Sequence, residues 1–497
     1  MKDNEFIYGS FLLVLVNLIV GIIDFIYDVM LSKFIGAEGM GLFQMVMSIL
    51  MVFLVVSTGG IPTAVSKMVA EENSKKNNFA IKKILRLAIL LTLILSTIFS
   101  IVLIFFSKTI TSRMFNNEDM LFSIYLLIPV VLIISISSIL RGYYYGLKMI
   151  MIPSVSQIIE HIARFVIILG FLYYVYPIKP IYGVFIAICG IIVGEVFDLI
   201  WLIFMKIRMD KNTQYIPTKI NSLSILNQII YISIPIGISS LLNVILRFAK
   251  TILIPNKLMA AGYENSEAIA TFGRITGMAT PLIMLPFIVT SALVVNLIPN
   301  LSERMASKNY TGLKNDVIIS IKITLLFSIP LTGLYVFFSQ PLGTFLYNDL
   351  EVGRFIHIMG YGTICLALQN TFSGILHGLN KQLNATINRL VGMIIQLLAI
   401  YYLVGNPKFG INGFFAGFLL SGIVICIFDL ISLRRIFKLN VEYKDLILKP
   451  IIATTVMITT MNIYLNFFLH PHISDVFSFA FSIIIGVISY IFILYIM

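Results

Sequence analysis

In the stretch SQIIEHIARFVIIL, Ser156 to Leu169, the residues Gln157, Glu160, His161 and Arg164 fall at i, i+3, i+4 and i+7. On a helix they form one polar stripe, with Ile, Val, Phe and Leu around it. A carboxylate four residues before a guanidinium is in the favourable order for an intrahelical ion pair. Aimed into water inside an apolar protein, the same groups make a binding surface. The two roles are compatible. Five further cations lie within apolar runs: Arg247, Lys250, Arg274, Lys322 and Arg389. The acids in or at the ends of such runs are Asp24, Asp28, Glu195, Asp198 and Asp429.

A charge at the centre of a membrane helix costs about 2.5–3.5 kcal/mol. Each group must therefore pair, reach a helix end, or face a water-filled space. Lys322 stands at the start of its run and snorkels. Arg164, Arg247 and Arg274, on three different runs, are expected to face one net-cationic interior. Planar guanidinium forks match phosphate oxygens, so such an interior suits an anionic, pyrophosphate-bearing ligand. The substrate-binding set is thus Arg164, Glu160 and Gln157 on one stripe, with Arg247, Arg274 and Arg389. Asp24 and Asp28, one turn apart, and the amide Asn243 are the candidates for Na+ or H+ coupling. Pairing of Asp28 with Lys33 is the structural alternative.

The elements that must position these groups follow from composition. Of 497 residues, 59% are hydrophobic and 12% charged, against about 45–50% and about 25% in soluble domains. Apolar runs of about 20 residues recur along the chain, the length of a membrane-spanning helix. The predicted fold is an all-α polytopic membrane protein with about 14 spans: 8–33, 41–66, 87–107, 121–140, 153–176, 181–205, 226–255, 268–299, 317–338, 354–378, 384–404, 410–433, 450–470 and 476–497. With the N-terminus inside, 22 of the 35 Lys and Arg, Arg141 among them, fall in inner segments and 7 in outer ones. That bias places both termini in the cytoplasm. A net charge of +12 then belongs to the inner membrane face and calls for no nucleic acid.

The links are too short for a soluble catalytic domain. The chain has no phosphate-cradling G-x-x-x-x-G-K-[ST] loop and no H-E-x-x-H, so no enzyme and no bound cofactor are expected. Cys189, Cys365 and Cys426 read as inert core residues, and the N-terminus reads without a signal peptide.

The fourth span ends in GYYYGL, Gly142 to Leu147, and the tenth in GILHGL, Gly374 to Leu379. Motifs six spans apart have the same orientation, which predicts two parallel six-helix lobes, 1–210 and 225–435, plus a terminal helix pair, 445–497. Pro62, Pro235, Pro281 and Pro286 interrupt spans two, seven and eight as hinges or packing kinks.

The run DVMLSKFIGAEGMGLFQMVMSIL with the RGYYYGL and IPSVSQIIEHIARFVI blocks resembles the stage V sporulation protein B group. TFGRITGMATPLIMLPFIV and GILHGLNKQLNATINRLVGM are similar to the same group and its lipid II flippase relatives, in the polysaccharide-exporter branch of the MOP superfamily that also holds the MATE exporters. The resemblance spans essentially the whole chain. It implies alternating access by two lobes in the bacterial cytoplasmic membrane, and a monomer is expected. The cargo it implies is an undecaprenyl-pyrophosphate-linked saccharide, lipid II foremost, moved from the inner to the outer leaflet. Arg274 matches a cavity arginine of the flippases and Asp28 an acid of their first span, while Tyr27 stands where they carry arginine. A MATE-like small-molecule exporter and a non-transporting factor in spore cortex or cell-wall assembly are the alternative readings.

Overall fold

A computed structural model describes residues 2–115, 117–210, 221–436, 444–468 and 475–497. Lys211, Lys219, Lys438, His470 and His472 lie outside these residues. Hydrocarbon offers the backbone no hydrogen bonds, so apolar runs of this length must satisfy their own, and they form helices. Among the described residues there is no strand.

The chain forms two compact units. Unit 1 comprises residues 1–256 and 264–273, and unit 2 residues 257–263 and 274–497. Unit 1 holds α1 (Lys2–Thr58), α2 (Ile61–Ser74), α3 (Asn78–Ile110), α4 (Leu121–Tyr125), α5 (Leu127–Gly146), α6 (Met151–Val175), α7 (Pro180–Asp210), most of α8 (Ser222–Ala260), and α9 (Asn265–Gly273). Unit 2 holds α10 (Thr280–Ile283), α11 (Pro286–Ala306), α12 (Tyr310–Phe337), α13 (Ser339–Tyr347), α14 (Leu350–Gly360), α15 (Thr363–Gly378), α16 (Gln382–Ala399), α17 (Ile411–Arg434), α18 (Lys449–Phe468) and α19 (Asp475–Ile496).

Two details separate this from the predicted helix layout. Helix α8, the seventh span, belongs by its contacts to unit 1 as far as Asn256: added Cβ atoms at Gly59 and Gly60 would crowd Gly237, Ser233 and Ile236. The terminal pair α18–α19 packs into unit 2. Thr454 and Ile458 fill the space over Gly333, and Tyr490 donates to the Leu326 carbonyl at 2.8 Å.

Among the described residues, 12 helical segments are long and apolar enough to cross a membrane. The predicted fourteen exceed these by two for local reasons. The first segment, Leu15–Ser74, runs for 60 residues, about 90 Å at 1.5 Å per residue. That is far beyond a bilayer of about 30 Å. Gly36, at φ 69°, breaks α1 into two rods, and Gly60, at φ 85°, separates α2 from them; a side chain at either φ would be strained. The predicted tenth span is divided at Tyr361–Gly362 into α14 and α15, of 11 and 16 residues.

The glycine motifs now have a physical role. A Cβ at Gly142 would lie 2.5 Å from the Pro62 carbonyl oxygen, and one at Gly146 2.6 Å from that of Ser66. Only glycine lets α5 lie this close to α2. In unit 2, Gly374 and Gly378 of α15 press in the same way on Val294, Ile298 and Leu301 of α11. Every one of these pairs is offset by 232 positions: Pro62 and Val294, Ser66 and Ile298, Gly142 and Gly374, Gly146 and Gly378. The left-handed turn residues Lys76 and Lys308, and Lys148 and Asn380, share that spacing. So do the helix N-caps Asn77 and Asn309, whose side chains accept from Ala80 N and Gly312 N. The cores repeat too. Val65, Val69, Ile81, Leu85, Tyr144 and Leu147 correspond to Leu297, Leu301, Leu313, Val317, Leu376 and Leu379.

Candidate functional site

In unit 1 the opening stripe turns inward. Helix α7 carries Gly190 and Gly194 on one face; a Cβ at Gly194 would lie 3.0 Å from the Glu160 carbonyl oxygen and 3.3 Å from Arg164 Cβ. The missing side chain lets α6 and α7 close together at Glu160. Glu195 and Asp198, on the next turn of α7, thereby meet the stripe.

Four helices converge there. Arg141 of α5 donates through Nη2 to Asp198 Oδ2 at 2.9 Å, and lies 3.4 Å from both Glu160 Oε2 and Glu195 Oε2. Arg164 Nη2 is 3.3 Å from the other Glu160 oxygen, 2.8 Å from His161 Nδ1 and 3.8 Å from Asp24 Oδ1 of α1. His161 Nδ1 lies 2.5 Å from Asp24 Oδ1. Asp28 is within electrostatic reach of Asp24 and Arg164. The Arg164 guanidinium also sits over the Tyr27 ring, 5.7 Å from its centroid, a cation–π contact. Asp198 is 0% exposed and Glu160 and Glu195 6%, so water does little to screen them.

The predicted stripe is therefore an ion-pair network, and its sign differs from the expectation of a net-cationic interior. Five carboxylates (Asp24, Asp28, Glu160, Glu195 and Asp198) surround two guanidiniums and an imidazole. Arg141, which the sequence places in an inner segment, is a side chain of the network. Like charges this close repel unless a cation or a proton joins them. Asp198 Oδ1 and Arg141 Nε are buried without a hydrogen-bond partner among the described residues. The cluster presents Arg164 and His161 at its Asp24 end, where the Asp24 side chain is 44% exposed.

The remaining predicted residues sit elsewhere. Gln157 is half-buried on α6, one turn before Glu160. Arg247 is exposed on α8, in unit 1. Asn243, also on α8, donates to the Ser239 carbonyl of its own helix at 2.9 Å. Arg274 belongs to unit 2. Its Nε meets Asp349 Oδ2 at 2.7 Å, while Asp349 Oδ1 accepts from Glu351 N at 2.9 Å and so caps α14. Arg274 thus ties a helix cap to the wide turn Arg274–Ala279. Arg389 is half-buried on α16 beside Asn388, whose Nδ2 donates to Asp429 Oδ1 at 2.7 Å. Sequence reasoning noted Glu195 and Asp198 but gave them no role. The signal that finds them is Gly190-x-x-x-Gly194 directly before an acid pair spaced i, i+3.

Comparison with known proteins agrees with this architecture. The signature of the polysaccharide biosynthesis protein family matches residues 6–305, and that of the MatE family residues 235–402. Stage V sporulation protein B of Bacillus subtilis (strain 168) is 25% identical over 450 residues, 90% of this chain and 86% of that protein. Lipid II flippase MurJ of the same organism is 25% identical over 428 residues, 80% of this chain and 77% of that protein. A solved structure of lipid II flippase MurJ in an inward closed conformation superposes with a TM-score of 0.70 at 16% identity, covering 98% of both chains.

Proposed function

The chain belongs to the polysaccharide biosynthesis protein family, and on that premise we propose that it is a flippase for an undecaprenyl-pyrophosphate-linked saccharide, lipid II foremost. The observation that carries this reading is the 25% identity to a lipid II flippase over 80% of the chain. The cargo moves from the cytoplasmic to the outer leaflet by alternating access, both chain ends facing the cytoplasm and the protein acting as a monomer. Arg164 and exposed Arg247, both of unit 1, are the cations for the pyrophosphate. A guanidinium in an apolar helix is retained where it has an anion to meet. Glu160 holds Arg164 by their ion pair and limits self-repulsion before the cargo arrives.

An ion gradient, the membrane potential or the substrate gradient drives the cycle. Asp24 and Asp28 take up the coupling proton or Na+, and His161 holds Asp24 by their hydrogen bond. Uptake there shifts the equilibrium between two states only by its difference in affinity for them.

The test is reconstitution of the purified protein in liposomes with labelled lipid II and a leaflet-specific probe. Translocation without ATP is expected. Arg164→Lys keeps the charge, loses the bidentate fork and should lower the rate at least 10-fold at unchanged protein level, with Glu160→Gln milder. Wild-type vesicles that move no lipid II sink the reading. The MatE match over residues 235–402 favours one second reading, export of small organic cations. Accumulation of a cationic dye, with no movement of lipid II, would select it.

A further inference from the structure

Equivalent faces of the two halves carry opposite chemistry. Ala64 and Met68 of α2 stand 232 positions before Asn296 and Asn300 of α11. Ala64 is 0% exposed and Met68 3%, inside a core to which α8 contributes Ile225 and Ile229. The unit 2 core takes Leu297 and Leu301 from α11 but not the two amides. Asn296 and Asn300 are exposed, and so is Glu303. At i, i+4 and i+7 these three form one face, about 10 Å long. Helix α18, which follows the second half as α8 follows the first, packs on Gly333 of α12 instead.

An uncovered face of amides does not belong against lipid, because an unpaired amide in hydrocarbon costs several kcal/mol. Its helix is the least apolar of the 12 candidate spans among the described residues. Pro299 lies inside α11 and has no N–H, so the Val295 carbonyl is released from the helix ladder. Val295 is 43% exposed. Asn296 Nδ2 turns to the Ala292 carbonyl at 3.4 Å, which leaves its Oδ1 as an acceptor. The neighbouring cation, Arg304, is held by Asp316. The face therefore offers amide donors, carbonyl acceptors and a carboxylate. Sugar hydroxyls and acetamido groups donate and accept, and match it. Phosphate oxygens only accept, and would meet the Glu303 carboxylate and bare carbonyls.

We propose that Asn296, Asn300 and Glu303 form a saccharide-reading face that recognises the sugar of the cargo and not its pyrophosphate. The identity of that cargo rests on the flippase reading above, and the division of labour leaves the pyrophosphate to the arginines.

The experiment is native mass spectrometry of the full-length protein, titrated with undecaprenyl pyrophosphate and with the same lipid carrying an N-acetylglucosamine-containing disaccharide. Wild type should bind the glycosylated lipid at least 10-fold more tightly. N296A/N300A should lose that preference while its affinity for undecaprenyl pyrophosphate stays within 2-fold, and N296Q/N300Q should restore part of it. The retained affinity for the bare lipid shows that the variant is folded. Equal loss for both lipids, no loss for either, or no sugar preference in wild type would each overturn the proposal. Binding needs no transport, so a wild type that binds with sugar preference yet moves no lipid II refutes the flippase reading alone.

Discussion

The hairpin α6–α7 of unit 1 and the hairpin α16–α17 of unit 2 are built alike and charged differently. Each is closed by glycines, Gly190 and Gly194 in the first, Gly392 and Gly417 in the second. Each buries an acid on its later helix: Asp198 is 0% exposed and Asp429 1%. In unit 1 Asp198 is answered by Arg141, with Glu160 and Glu195 on the same nitrogen. In unit 2 Asp429 accepts from neutral Asn388, and Arg389 lies within electrostatic reach. One scaffold thus supports a multi-charge network or an amide-to-acid bond. The ionic version pays a larger desolvation cost and is stable only when complete. Charge was concentrated in one half, and that half is where coupling chemistry is proposed.

The largest test of this contrast is removal of the two donors. Arg141→Ala leaves three buried carboxylates without their shared cation and should cost about 3–5 kcal/mol. Asn388→Ala strands one acid of a single hydrogen bond and should cost about 1–3 kcal/mol. Melting in detergent measures both. For the first, emission of Trp201, whose Nε1 donates to the Ile152 carbonyl at 3.2 Å, reports the α6–α7 pairing directly. Adding Asp198→Asn to Arg141→Ala should recover part of the loss, because one uncompensated charge goes. Equal costs at Arg141 and Asn388 would show that the two hairpins differ in formula only.

A smaller difference is expected at the repeated glycines. A Cβ at Gly142 meets the backbone oxygen of Pro62, which cannot rotate away, whereas one at Gly374 meets the methyls of Val294, also at 2.5 Å. Overpacking costs about 1–3 kcal/mol; Gly142→Ala should fall at the upper end and Gly374→Ala at the lower, read as melting temperatures. The reverse order would break the argument that α2 and α5 are the more rigid pair.

The smallest effect belongs to a surface position where the halves again differ. Glu72 and Arg304 are 232 positions apart with opposite charges. Glu72 binds exposed Lys75 at 2.7 Å and accepts from Asn77 Nδ2 at 3.0 Å; Glu72→Gln keeps an oxygen for Asn77 and loses only an ion pair that water screens, so the melting temperature should stay unchanged. A clear drop would mean that the Glu72–Lys75 ion pair itself stabilises this turn.

The helical membrane architecture and the doubling of the chain were legible in the residues because both rest on one-dimensional regularities. Apolar length specifies a span, and RGYYYGL and SGILHGL name the same packing face twice. The Glu160–Arg164 pair was legible too, since i, i+4 spacing alone brings those groups together. What no spacing showed was the company they keep. Arg141, Glu195, Asp198 and Asp24 come from three other helices, and their meeting with α6 depends on how closely glycines let those helices approach. The same holds for Arg274, whose partner Asp349 lies 75 positions away, and for the uncovered face of Asn296 and Asn300. Charge and hydropathy along the chain state which groups need a partner. Which partner they get is decided by packing across helices, and there the sign of the unit 1 cluster was set.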